Sequence, residues 1–271
     1  MGLQEAVSVK EDMDKLGLTT GLKGKTVIIQ GLGNVGYYTA FYMQQAGAII
    51  TGVAEYNGGI YDEEGIDVVA LKEHQRENGG LKGFPSGKFI ENSSVLLTYS
   101  CDILVPAALE NQVTIENADK VQARIIGEAA NGPVTREAEI ILLNKGVFLI
   151  PDMYLNAGGV TVSYFEWLKN LSRVSFGKLE KRYDMKKFET LINDIESASD
   201  IKFSQSQREA IIEGASERDI VKSGLEETMV EGYHNMNNMR KRKKVKSLRT
   251  AAFMLALDRI SVSYMDLGIF P

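Results

Sequence analysis

Lys25-Thr26-Val27-Ile28-Ile29-Gln30 runs directly into Gly31-Leu32-Gly33-Asn34-Val35-Gly36, and the reading of this stretch decides the fold. The apolar, β-branched run predicts a buried strand, and the aromatic and aliphatic residues after the glycines predict a helix. Between them Gly-x-Gly-x-x-Gly assigns each glycine a task. Gly31 permits the tight turn, Gly33 lets the backbone approach a diphosphate, and Gly36 lets the helix pack closely on the strand. At the helix start, around Asn34 and Val35, unpaired N–H groups and the positive dipole end hold an anion. The expected ligand is therefore a dinucleotide. Little more than one helix precedes the turn, which leaves almost no room for a substrate domain in front of it.

Working outward, Leu3 to Leu16 has mixed helical spacing and stops at Gly17. Tyr37 to Gln45 reads as a helix stopped by Gly47, Ala48 to Ala54 as a second buried strand, and Asp67 to Glu77 as another helix. Ile103 to Val105, Arg124 to Gly127 and Val147 to Ile150 suit strands buried on both faces, with a helix from Glu137 to Asn144 before the last. Strands alternating with helices in this way predict an α/β, Rossmann-type, doubly wound and mostly parallel sheet. After Pro151 the pattern turns helical: Val160 to Leu171, Tyr183 to Ser197, Arg218 to Arg240 and Ser247 to Met265. The expected organisation is an N-terminal helical segment (1–19), a dinucleotide-binding domain (20–170) and a helical C-terminal extension that packs back on the core (171–271).

The composition is that of an ordinary globular protein, with 44% hydrophobic and 25% charged residues among 271. Cys101 is the only cysteine, so no intramolecular disulfide is possible and a reducing, intracellular compartment is expected, cytoplasm or mitochondrial matrix. A formal net charge of −5 argues against a nucleic-acid surface spread over the protein. No apolar run reaches membrane-spanning length, and no signal peptide is visible. His74 and His234 are isolated from ligand-spaced partners, so no metal site is expected. The basic run Arg240 to Lys244, with Lys246, reads as a solvated helix end or interhelix loop rather than a nucleic-acid or localisation signal.

Three further places carry chemistry. Glu55, at the end of the second strand, stands at the spacing where an acid accepts hydrogen bonds from the adenosine ribose. A carboxylate there repels a 2′-phosphate, which favours NAD over NADP without excluding the latter; its plain alternative is a solvated loop acid. Gly127-Glu128-Ala129-Ala130-Asn131-Gly132-Pro133 follows a buried strand, where ligands of such sheets sit. Asn131 offers donor and acceptor groups to a carboxamide such as that of nicotinamide, and serves equally well in an ordinary turn. Asn156 precedes Gly-Gly and a helix that it could cap. Ser163 lies one helical repeat beyond it, so both suit a cleft that takes a polar substrate.

Taken together these segments resemble the cofactor-domain half of a glutamate dehydrogenase, in the hexameric branch that includes the animal enzymes. The resemblance runs from Gly21 to Val27 into the glycine motif, through Cys101 to Ala108 and Glu128 to Pro133, to the long and specific Tyr154 to Leu168. It resumes at Gly214 to Val221 and Leu248 to Ala252, covering nearly the whole chain. It implies that Gly31, Gly33, Asn34, Val35, Gly36 and Ala107 hold the dinucleotide, Glu55 the ribose, and Asn131 the nicotinamide side. It places Asn156, Val160 and Ser163 in the substrate cleft, with Ser163 meeting the side-chain carboxylate of glutamate. There are departures. Ala130 stands where the family has glycine, the stretch between Phe176 and Gly214 is shorter than the animal antenna, and Lys222 replaces a histidine that contacts GTP.

The parent activity so implied is oxidative deamination of L-glutamate to 2-oxoglutarate and ammonia with NAD, in a homo-hexamer. The family's amino-terminal domain supplies the catalytic lysines and aspartate, and its Gly-Gly-x-Lys-Gly-Gly signature has no counterpart here. No catalytic residue is therefore expected in this chain, which is expected to bind NAD(H) as a monomer or dimer and to act on glutamate only with the missing domain. A truncated cofactor domain, one half of a split enzyme, and a non-catalytic nucleotide-binding or interaction module all fit that expectation.

Overall fold

Seven strands form one sheet: β1 Thr26–Gln30, β2 Ile49–Glu55, β3 Gly58–Tyr61, β4 Lys88–Ile90, β5 Ile103–Pro106, β6 Ile125–Gly127 and β7 Phe148–Ile150, in the order β4-β3-β2-β1-β5-β6-β7. The computed structural model describes residues 1–171, 176–199, 201–213 and 217–268. From β2 to β7 across β1 all neighbours are parallel, whereas β3 and β4 add an antiparallel edge. The parallel strands are those expected from their continuous apolar runs, within a residue or so at each end. Such runs suit burial on both faces, and Val27, Ile28, Ile29, Ile103, Leu104, Val105, Ile125 and Ile126 are fully buried.

The helices are α1 Gly2–Ala6, α2 Lys10–Leu16, α3 Asn34–Gln45, α4 Val68–Asn78, α5 Arg136–Asn144, α6 Asp152–Leu155, α7 Ala157–Leu171, α8 Phe176–Ala198, α9 Gln205–Glu213, α10 Glu217–Lys243 and α11 Leu248–Leu267. Local chemistry fixes several ends. Asp67 caps α4 by accepting the N–H groups of Val69 and Ala70 at 2.9 and 3.1 Å, and Gly79 ends it at φ +71°. Thr135 caps α5 and Ser247 caps α11 in the same manner; such caps contribute about 1 kcal/mol each. The single N-terminal helix expected from sequence is two, since Val7, Ser8 and Val9 lie outside α1 and α2; Gly17 stops the second at φ +66°.

On one face of the sheet Ile28, Leu104, Ile126 and Leu149, from four adjacent strands, pack with Ala138 and Leu142 of α5. Fully burying an aliphatic side chain of this size stabilises by about 1.5–3 kcal/mol.

The chain forms two compact units, Met1–Gly158 together with the stretch from Met229 onward, and Gly159–Thr228. These divide the chain elsewhere than the boundaries expected from composition at 19/20 and 170/171. Polar ties explain how the first unit gathers remote segments. Arg240 donates to Asp12 at 2.6 Å, Asn237 reaches the same carboxylate at 3.4 Å, and the Tyr154 hydroxyl donates to the Met229 carbonyl at 2.7 Å. The basic run thus closes α10, as a solvated helix end should, but Arg240 and Lys241 are also paired with Asp12 and Glu11. In the second unit Glu196 accepts from Arg208 at 3.0 Å and from the Phe203 N–H at 2.9 Å, joining α8 to α9. The resemblance at Gly214 to Ser216 lies outside the described residues.

Candidate functional site

The chain leaves β1 toward β2 on one side and returns to β5 on the other, so the carboxyl ends of β1 and β5 flank the topological switch point of the sheet. Crevices at such points take ligands in open α/β sheets. The glycine turn sits there. Gly31 has φ +92°, and a Cβ on it would lie 2.9 Å from the carbonyl oxygen of Ala107, just past β5. A Cβ on Gly36 would lie 1.8 Å from the Gly31 carbonyl oxygen, so only glycine permits this approach of α3. Gly33 differs from both. Its φ of −72° suits any residue, and a Cβ there would meet no protein atom within 4 Å. No protein atom, then, demands glycine at this position.

Gly33 also begins α3, whose first backbone hydrogen bond runs from the Tyr37 N–H to the Gly33 carbonyl at 2.9 Å. The earlier N–H groups, of Asn34, Val35 and Gly36, precede that bond. No side chain caps the helix, and no acid stands in its first turn. This is the donor set and polarity an oxyanion such as a diphosphate needs.

Glu55 ends β2 and accepts the backbone N–H of Leu32, inside the glycine turn. Lys72 of α4 donates to the Leu32 carbonyl at 2.6 Å. The turn is thus clamped through Leu32 from both sides, and Glu55 is half-buried beside it. Lys72 was not evident from sequence, because nothing in α4 announces that it reaches a turn 40 residues away.

The loops after the next strands lean on this crevice in succession. The Ala107 N–H donates to the Gln30 carbonyl at 2.8 Å, and the N–H groups of Ala129 and Ala130 both donate to the Pro106 carbonyl at 3.0 Å. Asn131 follows, exposed, and its Oδ1 accepts from Asn156 Nδ2 at 2.9 Å. Two residues singled out separately in the sequence are therefore partners. Asn156 closes α6 in a right-handed helical conformation. Val160 and Ser163 lie on α7 in the second unit, three residues apart and both exposed, which puts them on one helix face.

Beneath Asn131 lies a group the sequence reading missed. Asp152 Oδ2 accepts the Gly132 N–H at 2.8 Å, while Glu128 Oε2 accepts the Asp152 N–H at 2.8 Å. Glu128 is fully buried, and burial pushes its carboxyl up to about 7 against the pull of Arg249 and the Asp152 N–H. For Asp152 burial also acts upward, but the N–H groups of Gly132 and Met153 and the Arg249 guanidinium hold it below the usual carboxylate range. The available signal was an acid directly after an apolar strand, at Gly127-Glu128 and again at Pro151-Asp152. Among the described residues no cluster of histidine, cysteine or acids is arranged to hold a metal ion.

A family model described as Glutamate/Leucine/Phenylalanine/Valine dehydrogenase matches residues 2–217. The chain belongs to this family. It is 46% identical over 267 residues to the mitochondrial glutamate dehydrogenase of Dictyostelium discoideum, covering 98% of this chain and 53% of that protein. It is 34% identical over 260 residues to the glutamate dehydrogenase of Thermotoga maritima, covering 96% of this chain and 52% of the relative. Among solved structures, the hetero-hexameric glutamate dehydrogenase of Thermus thermophilus in its Leu-bound form aligns with TM-score 0.69 and 25% identity, over 100% of this chain and 53% of that one. The Peptoniphilus asaccharolyticus glutamate dehydrogenase gives TM-score 0.65 and 26% identity, over 99% and 53% of the two chains. The chain spans about half the length of the family members it matches. Family and fold are those expected from the glycine turn and the Tyr154 to Leu168 segment.

Proposed function

We propose that the chain is the NAD(H)-binding half of a glutamate dehydrogenase-type oxidoreductase and that it does not turn over glutamate by itself. The observation that carries this reading is the glycine turn. Gly31 and Gly36 are demanded by the protein's own packing, whereas Gly33 leaves open the one approach a diphosphate would use, over the first N–H groups of α3.

The residues fit the cofactor. The N–H groups of Asn34, Val35 and Gly36 take the diphosphate, with Ala107 forming the opposite wall, and Glu55 takes the ribose hydroxyls. Asn131 takes the carboxamide of the nicotinamide. When bound, NAD supplies the acceptor for a hydride from the substrate Cα. Glu55 disfavours a 2′-phosphate through charge repulsion, so NAD is preferred to NADP. Asn156, Val160 and Ser163 are assigned to the substrate, L-glutamate or 2-oxoglutarate. All of these residues fall within the stretch 20–170 expected from sequence to be the dinucleotide-binding domain, between a segment 1–19 and an extension 171–271.

Positioning of reactants contributes roughly 7–11 kcal/mol to lowering a barrier. A chain that supplies one wall of the cleft without the other forgoes most of that, which is the physical ground proposed for inactivity alone. The whole enzyme would be a hexamer in the cytoplasm or mitochondrial matrix; no described helix is long and apolar enough to cross a membrane.

Two measurements on the purified 271-residue chain test the reading. NADH titration, followed by nicotinamide fluorescence and by quenching of Trp167, should saturate. A glutamate-driven NADH-forming assay should give no turnover above background. Absence of NADH binding refutes the first claim, and robust turnover the second. Coexpression with the lysine-bearing half of a relative should restore activity if the chain is half of a split enzyme, and leave it inactive if it is an interaction module.

A further inference from the structure

The loop carrying Asn131 is tied to the first turn of α11, more than a hundred residues further along the chain. Arg249 Nη2 pairs with Glu128, Nη1 with Asp152 at 2.7 Å, and Nε with Glu139 of α5 at 2.9 Å. Three nitrogens of one planar fork thus reach three carboxylates on three different elements, a geometry the point charge of a lysine cannot reproduce. Asp152 passes the constraint on. Its Oδ1 meets Arg249, while its Oδ2 accepts the N–H of Gly132, the residue after Asn131. Asp152 also begins α6, whose closing residue Asn156 donates to Asn131 itself. Asn131 is therefore held on one side through the Gly132 N–H and on the other through its own side chain, both by α6, and Arg249 anchors α6.

A buried cluster of this kind is not a device for stability. Burying the carboxylates of Glu128 and Glu139, with Asp152 and Arg249 half-buried beside them, costs desolvation that a well-packed apolar group would avoid. Glu128 shows that cost, being fully buried with Oε1 lacking any partner. What such a cluster supplies is a fixed arrangement of the loops that carry it.

We propose that Arg249 is a positioning residue for the nicotinamide side of the site: acting through Asp152 and Gly132, it sets the place of Asn131. The inference rests on the reading of Asn131 as the nicotinamide contact. ADP-ribose uses the glycine turn and Glu55 but has no nicotinamide ring, so it separates the two ideas. The test compares ADP-ribose, by calorimetry, with NADH, by fluorescence, on the 271-residue chain and its Arg249→Met and Arg249→Lys variants. Arg249→Met should weaken NADH at least tenfold and leave ADP-ribose within twofold of the parent. Arg249→Lys keeps the charge but loses the fork, and should stay within threefold of Arg249→Met.

Unchanged NADH affinity in Arg249→Met, equal loss of both ligands, or full rescue by lysine each overturns the inference. A parent chain that binds ADP-ribose but gains nothing from the nicotinamide overturns it too, and leaves the glycine-turn reading standing. A parent that binds neither ligand refutes the cofactor reading and the inference with it. Should Arg249→Met fail to fold, Asp152→Ala, which removes the acceptor of the Gly132 N–H, carries the same pair of expectations.

Discussion

A Cβ on Gly36 would lie 1.8 Å from the carbonyl oxygen of Gly31, a backbone atom with nowhere to go. Gly36→Ala should therefore destabilise the chain by about 3 kcal/mol, the upper end for overpacking, and abolish NADH binding. Gly33→Ala should part the two effects. Its Cβ meets no protein atom within 4 Å, so stability should change by less than about 1 kcal/mol. NADH affinity should nonetheless fall more than tenfold, or about 1.4 kcal/mol. Urea unfolding beside NADH titration of both variants checks the contrast, and equal effects on stability would sink it.

Glu55 is expected to set the choice of nucleotide. Glu55→Ser removes the repulsion toward a 2′-phosphate and the acceptor for the Leu32 N–H. The ratio of NADPH to NADH affinity should rise at least tenfold, partly through weaker NADH binding. Parallel titrations with the two nucleotides measure it; a ratio that does not move would show that the Glu55 carboxylate faces no ribose.

The Asn131–Asn156 hydrogen bond predicts coupling. In a cycle of Asn131→Ala, Asn156→Ala and the double variant, the interaction energy in unfolding should be about 0.5–1.5 kcal/mol. Strict additivity would mean that the two side chains do not act as a pair in solution.

Glu128 makes a prediction about pH. Its folded carboxyl is raised to about 7 from the ordinary 4.5, so between those values the folded chain holds more protons than the unfolded one. The contribution of this group to stability is thus greatest at low pH and declines as pH rises toward 7. Asp152, held low, acts oppositely and loses its contribution only in strong acid. Glu128→Gln has no charge to bury. Its stability relative to the parent should climb from pH 5 to pH 8, and urea midpoints across that range read the trend directly. A flat or falling difference would place Glu128 outside the buried cluster.

What could be read from sequence followed physical locality. Val27-Ile28-Ile29 and Ile103-Leu104-Val105 are recognisable because a strand buried on both faces needs nothing but apolar side chains. Asp67 and Ser247 announce the helices that follow them. The antiparallel pair β3–β4 gave no such sign. A Cβ on Gly58 would sit 2.3 Å from the ring of Phe89, so the glycine answers to a strand some thirty residues away. In the site, the glycine turn is legible because its three glycines fall within six residues directly after an apolar strand, although what presses on Gly31 is Ala107, far along the chain. The cluster of Glu128, Glu139, Asp152 and Arg249 is not, because each acid alone looks like an ordinary surface residue. Only the fold reveals the single guanidinium they share.

The two margins of the sheet bear on how copies of the chain can meet. At one, β4 is three residues long, starts at the exposed Lys88, and follows a glycine with φ +74°. At the other, β7 is equally short and buried, with the Arg240 guanidinium 5.3 Å from the centre of the Phe148 ring. Short, charged or covered margins deny an incoming strand a template of free backbone groups. Neither border, then, invites growth of the sheet from one molecule into the next.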